Sequence, residues 1–151
     1  MSVSARHAEV EIRTPRPEDY PRMAELAGQL GYPAAPQEVA RRLAGMQSSD
    51  EHVVFVAQSP DGEIAGWIGA FLYRCVEADL RAEISGLVVD DRLRSQEVGR
   101  RLLQRAEQWA REKGCASATL RSNVVRERAH AFYQRHGYEH TKTQKSFRKS
   151  L

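Results

Sequence analysis

Apolar residues recur along this chain with two periods, and each change of period marks an element. Val10-Glu11-Ile12-Arg13 alternates as a short strand. Met23, Leu26, Ala27 and Leu30 then fall at helical spacing behind Thr14, two prolines and the acidic pair Glu18 and Asp19. A helix is predicted there, stopped by Gly31. A second short helix is predicted over 36–46, with Val39, Leu43 and Met46 on one stripe. Residues 52–75 hold the clearest hairpin. Two β-rich runs flank Pro60-Asp61-Gly62, where proline fixes φ, aspartate bonds locally and glycine supplies a positive φ. Residues 80–91, LRAEISGLVVDD, predict a further strand, and the block Leu87-Val88-Val89 implies burial on both faces.

From Val98 to Lys113 the period returns to 3.6, with Val98, Leu102, Leu103, Ala106, Trp109 and Ala110 on one side. Gly114 ends this helix after Arg111 and Lys113, cations suited to the negative end of the dipole. Residues 116–122 predict a strand. Residues 126–136 predict a helix with Ala129, Phe132, Tyr133 and His136 on one side, stopped by Gly137. Residues 138–151 alternate enough for one or two final strands. No repeat, linker or low-complexity tract interrupts the order β-α-α-β-β-β-α-β-α-β(-β). The expectation is a single domain over 1–151 with an α+β, or mixed α/β, layer fold.

Composition narrows the function. The chain has 151 residues, enough for one domain with a single core. It is 41% hydrophobic and 28% charged, values that suit a globular protein and argue against wholesale disorder. With 23 Lys+Arg against 20 Asp+Glu, the net charge of +3 permits an anionic ligand without requiring nucleic acid. Cys75 and Cys115 lack CxxC spacing, so neither a disulfide framework nor a zinc site is indicated. Two reduced thiols in a cytosol fit better than a catalytic cysteine. No apolar run approaches about 18 residues and the N-terminus has no apolar leader segment, so the chain is read as cytoplasmic and not membrane-spanning.

The candidate chemistry starts between the strand ending near Val89 and the helix opening near Val98. A strand that enters a helix through a tight loop presents free backbone N–H groups and the positive dipole end, which together bind phosphate. Arg92, Arg94, Arg100 and Arg101 add charge nearby, but Gly99 is the loop's one glycine. A solvated, ordinary loop would show the same residues. The pattern matches neither a dinucleotide fingerprint nor a P-loop lysine motif.

Arg94-Ser95-Gln96-Glu97-Val98-Gly99 resembles the Arg/Gln-x-x-Gly-x-Gly/Ala loop that holds the coenzyme A pyrophosphate in the GNAT superfamily of N-acetyltransferases. The resemblance runs over essentially the whole chain. LVVDDRLR looks like that family's fourth strand and its exit, and AHAFYQRHGYE like its late helix. SNVVRERAHAFYQRHGYE and the closing FRKSL are similar to the small-molecule branch that includes aminoalkylphosphonate and aminoglycoside N-acetyltransferases. The resemblance implies a central, mostly antiparallel sheet of six or seven strands with about four helices, splayed between strands 4 and 5. It also implies acetyl-CoA as co-substrate, a small-molecule amine as acceptor and a homodimer, while spacing, charge and hydropathy point to no resident metal, no nucleic acid and no membrane partner. Two positions depart from the pattern. Glu97 stands where the family usually has its first glycine, at a cost of roughly 1–2 kcal/mol if a left-handed conformation is needed. Arg126 stands where many members have Asn, a role that Asn123 could take over.

Acyl transfer from a thioester to an amine needs a neutral amine, a donor for the developing oxyanion and a proton for the departing thiolate. By resemblance, the Leu87 amide polarises the thioester carbonyl and Val88 and Val89 pair with the pantetheine arm as if it were an added strand. Arg94, Ser95, Gln96, Glu97, Val98, Gly99 and Arg100 hold the pyrophosphate, Asn123 borders coenzyme A, and Tyr133 protonates the sulfur. Gly86 suits a bulge or a close backbone approach. Glu83 is the candidate base, because it precedes Leu87 by four residues and shares its face in a regular strand. His130 and His136 are alternatives. Asp90 and Asp91 are read as serving the strand exit. No His/Cys/Asp cluster has metal-ligand spacing. Competing readings are a protein or peptide N-acetyltransferase and a non-catalytic acetyl-CoA-binding module. A basic nucleic-acid binder has little support without an aromatic-basic stripe. Lys142, Lys145 and Arg148 read as a solvated face, or as a lure for an acidic or phosphonate-bearing amine.

Overall fold

In the computed structural model, which describes residues 10–93 and 97–151, the alternating segment after Val10 is strand β1 (Glu11–Arg13). A 3-10 turn (Pro17–Asp19) leads into α1 (Tyr20–Leu30), followed by α2 (Pro36–Gln47). The hairpin is β2 (His52–Gln58) and β3 (Ile64–Tyr73). At its tip the Ser59 N–H donates to the Glu63 carbonyl, and the Asp61 carboxylate accepts the Glu63 N–H. Strand β4 (Arg81–Val89), a 3-10 turn (Asp91–Leu93), α3 (Val98–Glu112) and β5 (Ser117–Leu120) follow, then α4 (Glu127–Arg135). The described residues divide into two compact units between Leu120 and Arg121.

The first unit holds a five-stranded sheet in the order β1-β2-β3-β4-β5. It is antiparallel from β1 to β4, and β5 pairs parallel to β4. Helices cover both faces. Met23 and Leu26 of α1 and Leu43 of α2 pack with Val56, Ile64 and Val88 on one face, with Trp67 against them. The opposite face meets α3, where a Cβ on Gly66 would stand 3.3 Å from Leu102. All six positions expected to face inward on α3 are buried. The half-buried Leu87 and Val89 flanking buried Val88 match the block predicted to be covered on both faces.

The second unit, Arg121–Leu151, contains α4 and an irregular tail. The one or two final strands predicted over 138–151 do not form among the described residues, so the sheet has five strands where six or seven were expected. The tail alternates, but it offers little to bury. Phe147 and Leu151 are exposed, and Lys142, Lys145, Arg148 and Lys149 fill the rest. A strand without an apolar face and a ladder partner has nothing to offset the loss of backbone entropy.

Candidate active site

The register of β3 with β4 contains one irregularity. Gly69 pairs with Gly86 and Ala70 pairs with Ile84, so Ser85 is an extra residue and β4 bulges beside the glycine predicted to permit it. Gly86 also allows a close approach. A Cβ there would lie 3.0 and 3.2 Å from atoms of the Trp67 ring, whose Nε1–H donates to the Met23 carbonyl at 3.2 Å.

The bulge changes which side chains meet. Phe71 pairs with Glu83, Gly69 with Gly86 and Trp67 with Val88, all on the α1 face. Ile68 pairs with Leu87 and Ala70 with Ile84 on the α3 face. The expectation that Glu83 and Leu87 share a face is therefore corrected. One extra residue inverts the alternation, so the two side chains lie on opposite faces. The Leu87 amide is unaffected, because a backbone N–H lies in the plane of the sheet.

Where that amide points follows from hydrogen bonding at the strand end. The Asp90 N–H donates to the Ala65 carbonyl at 2.8 Å. Alternation along an antiparallel ladder then turns the Val88 N–H toward β3, and the Leu87 and Val89 N–H groups away from it. On that outer side β5 pairs only with Arg81–Ile84 and ends at Leu120. From Ser85 to Val89 the outer edge of β4 has no partner strand among the described residues, which is the splay expected between strands 4 and 5. Open edge amides are a template for an extended, amide-bearing ligand.

Beyond β4 the chain is anchored by buried charge. Asp90 is 2% exposed. Its carboxylate accepts the Arg92 N–H at 2.9 Å, the Arg92 guanidinium at 3.0 and 3.2 Å, and the Arg22 guanidinium. Hydrogen bonds from Arg92 hold this carboxyl well below the usual carboxylate range, against the opposing effect of burial. The Asp91 N–H donates to Gln29 Oε1 at 3.0 Å, tying the exit to α1. Both aspartates thus lie at the strand exit as read from the sequence.

The arginines seen as free charge are partly engaged. Arg92 also pairs with Glu63 at 3.0 Å, and an Arg101 N–H donates to the Val10 carbonyl. Arg100 pairs with Glu97 at 2.5 Å. Arg94, Ser95 and Gln96 lie outside the described residues. Glu97 has a φ of −35°, so the left-handed conformation feared for a non-glycine residue is not used. Val98 is buried, and Gly99 and Arg100 complete the first turn of α3. The first helical bond runs from the Arg101 N–H to the Glu97 carbonyl at 3.0 Å, leaving the amides of 98–100 without a helical acceptor.

In the second unit, Tyr133 is held by the end of its helix. Gly137 takes a φ of 92°. Its N–H donates to the Gln134 carbonyl at 3.2 Å, and the Tyr138 N–H donates to the Tyr133 carbonyl at 3.0 Å. These bonds form a Schellman closure, and the Tyr133 and Tyr138 rings pack with centroids 6.0 Å apart, the usual apolar contact of that motif. Burial pushes the Tyr133 phenol above its ordinary value, and Arg126 pulls partly back. Asn123 Oδ1 accepts the Val125 N–H at 3.2 Å and its carbonyl accepts the Arg126 N–H at 3.0 Å, shaping the turn into α4. His130 bonds that same Asn123 carbonyl at 2.9 Å, and His136 packs on Phe132. Cys75 and Cys115 are free thiols, and burial pushes Cys115 up, away from the thiolate form.

Sequence reasoning missed Arg22 as the partner of Asp90, the Arg13–Asp19 ion pair at 2.7 Å, and Arg81 beside Glu83. One signal was available for Asp90, a carboxylate directly after a buried apolar block. Nothing in the spacing pointed to Arg22, 68 positions earlier.

Comparison with known proteins places this architecture among the acyltransferases. Residues 18–138 match the model of the acetyltransferase (GNAT) family, and the chain belongs to that family. It is 35% identical over 91 residues to the aminoalkylphosphonate N-acetyltransferase of Salmonella typhimurium, a match that spans 60% of this chain and 59% of that protein. It is 28% identical over 144 residues to the type 1 aminoglycoside N(6')-acetyltransferase of Stenotrophomonas maltophilia, spanning 93% of each. The solved structure of aminoglycoside N-acetyltransferase AAC(6')-Iy in complex with CoA shares the fold, with a TM-score of 0.84 at 19% identity over 95% of this chain and 96% of that one.

Proposed function

We propose that this protein transfers the acetyl group of acetyl-CoA to the primary amine of a small molecule by direct attack on the thioester, and that residues 1–151 act as one catalytic domain. The observation that carries the reading is the open outer edge of β4, with the Leu87 and Val89 amides turned toward it, a short turn away from the N-terminus of α3. The family match crosses the boundary between the two units, which supports their acting together. One curated relative is named for a phosphonate-bearing amine and the other for an aminoglycoside, and both names describe transfer to an amine on a small molecule.

In this mechanism Val89 pairs with the pantetheine amides as an added strand would, and the Leu87 N–H donates to the oxygen that becomes an oxyanion. Arg94 and the amides of residues 95–100 take the diphosphate at the helix N-terminus. Glu83 accepts a proton from the ammonium through water, freeing the nitrogen lone pair. The neutral nitrogen attacks the carbonyl carbon to give the tetrahedral oxyanion, and as this collapses the C–S bond breaks, Tyr133 gives its phenolic proton to the departing thiolate, the nitrogen loses its second proton to solvent, and the phenolate is reprotonated from solvent. The products are the N-acetyl amine and the free thiol of coenzyme A.

A thiol-release assay with acetyl-CoA and a panel of primary amines tests the proposal. Amine-dependent release of the thiol is expected. Tight coenzyme A binding without release from any amine would make the chain a non-catalytic binding module instead.

A further inference from the structure

Ser85 is the residue that β4 carries in excess of β3, and it is exposed. In such a bulge the extra residue and its neighbour stand opposite a single partner, here Ser85 and Gly86 opposite Gly69. A Cβ on Gly69 would stand 2.8 Å from Ser85 Oγ, so the hydroxyl leans over Gly69 on the α1 face, in room that a larger residue at 69 would take. Among the described residues the Ser85 hydroxyl has no hydrogen-bond partner. Its surroundings on that face are apolar. Trp67 and Leu30 flank Gly86, and Val54 lies 4.0 Å from the same Cβ position at Gly69. Val54 also lines a cavity of about 260 Å³ with Thr14, Met46, Gln47 and His52, so unfilled space adjoins the floor beside the hydroxyl.

The direction of attack follows from the placement of the donor. A thioester lying along the open edge of β4, with its oxygen on the Leu87 N–H, has its carbonyl plane close to the plane of the sheet. A nucleophile adds from above or below that plane, so it reaches the carbon from the α1 face or from the α3 face. On the α3 face the Leu87 side chain occupies the space, over the fully buried Ile68 with which it pairs. On the α1 face Gly86 has no side chain and the residue just before it is an exposed serine. The α1 face is thus the side left for an attacking nitrogen, and Ser85 Oγ is an exposed polar atom beside its path.

We propose that Ser85 is a further catalytic residue, whose hydroxyl accepts an N–H hydrogen bond from the neutral amine and aims the nitrogen lone pair at the thioester carbon. This rests on the acetyl-transfer reading above. As the N–C bond forms the nitrogen becomes positive, so a neutral hydrogen bond becomes a charge-assisted one. The contact is therefore stronger in the transition state than with the bound amine, which is what accelerates a reaction. No proton passes to Ser85. Its hydroxyl stays intact, the acetyl group moves from sulfur to nitrogen, and the surplus proton leaves for solvent.

Steady-state kinetics with the amine of the panel that releases thiol fastest test it, for wild type, Ser85→Ala, Ser85→Thr and Gly69→Ala. Ser85→Ala should lower kcat/KM for the amine by about tenfold to a hundredfold, the span of a hydrogen bond to a charged group, while KM for acetyl-CoA moves less than about twofold. Ser85→Thr keeps the hydroxyl and should restore most of the loss. Gly69→Ala keeps the hydroxyl but turns it aside, and should lower the same quantity, which keeps the test open if Ser85→Ala fails to fold. Calorimetric titration with coenzyme A should give one affinity for wild type and both Ser85 variants, since the Leu87 and Val89 amides are untouched. An unchanged kcat/KM in Ser85→Ala (or in Gly69→Ala, should Ser85→Ala not fold), a loss that Ser85→Thr does not recover, or a loss matched by weaker coenzyme A binding would overturn the assignment while acetyl transfer stands. Absence of thiol release from every amine would overturn acetyl transfer, and the role of Ser85 with it.

Discussion

In the proposed reaction the Tyr133 hydroxyl is the group that protonates the leaving thiolate. Burial raises its phenol pKa, so it stays protonated through neutral pH and is available as an acid. Tyr133→Phe keeps the ring and its contacts with Phe132 and Tyr138. We expect kcat to fall by about 10²-fold, the low end of the range for a lost general acid, because a thiol of pKa near ~8.5 can depart partly unaided. The deficit should shrink as pH rises, and an unchanged kcat from pH 6 to 9 would return Tyr133 to a packing role. Glu97 makes the opposite prediction. Its carboxylate occupies Arg100, a cation otherwise available to a diphosphate. Glu97→Gln should tighten coenzyme A binding about twofold to fivefold in low salt, the scale of an exposed ion pair, and less in high salt. Calorimetric titration at two ionic strengths decides it, and weaker binding would mean that the carboxylate helps the ligand. The place of Tyr133 near the end of α4 was legible because a helix pattern, a stop glycine and an aromatic pair lie within a few residues of it. The Glu97–Arg100 pair was not, because a side-chain rotamer decides whether neighbouring charges neutralise each other.

At the scale of elements, local periodicity was informative and long-range register was not. The six inward positions of α3, the Pro60-Asp61-Gly62 turn and the helix stops at Gly31, Gly114 and Gly137 are encoded within a few residues of one another. The Ser85 bulge is a property of two strands, so β4 read alone put Glu83 and Leu87 on one face. The final strands failed for a related reason, since alternation without a burial partner does not make a strand. The Arg22–Asp90 pair, joining α1 to the end of β4, was equally invisible. Asp90 is nearly inaccessible and Arg22 largely covered, so Asp90→Asn leaves buried cationic donors poorly matched. It should destabilise the fold by roughly 3–5 kcal/mol, the usual cost of breaking a buried pair. Urea unfolding measures this, and a loss under 1 kcal/mol would mean the network contributes little. The pH dependence has a definite sign. A carboxyl whose folded pKa is depressed stabilises fully above its unfolded value of ~3.9, and that stability is lost as pH falls toward the folded value. Wild type should weaken below about pH 4 more steeply than Asp90→Asn.

For the molecule as a whole, the question is whether Arg121–Leu151 works with the sheet or beside it. The proposed reaction needs both, because the edge amides belong to the first unit and Tyr133 to the second. A ligand that binds only the folded protein stabilises it by mass action, by about 2.7 kcal/mol at a hundredfold excess over Kd. For a domain of this size that corresponds to a rise in Tm of roughly 5–10 °C. If the two units form one donor-binding domain, calorimetry should show one unfolding transition that moves as a whole when coenzyme A is added. Acetyl-CoA should act alike, while a chain cut after Leu120 should respond less, having lost Asn123 and Tyr133. Two transitions, of which coenzyme A moves only one, would sink the single-domain proposal and confine donor binding to the β4 edge and the start of α3. No shift at millimolar coenzyme A would remove the donor site itself, and with it the reason for the open edge at Leu87 and Val89.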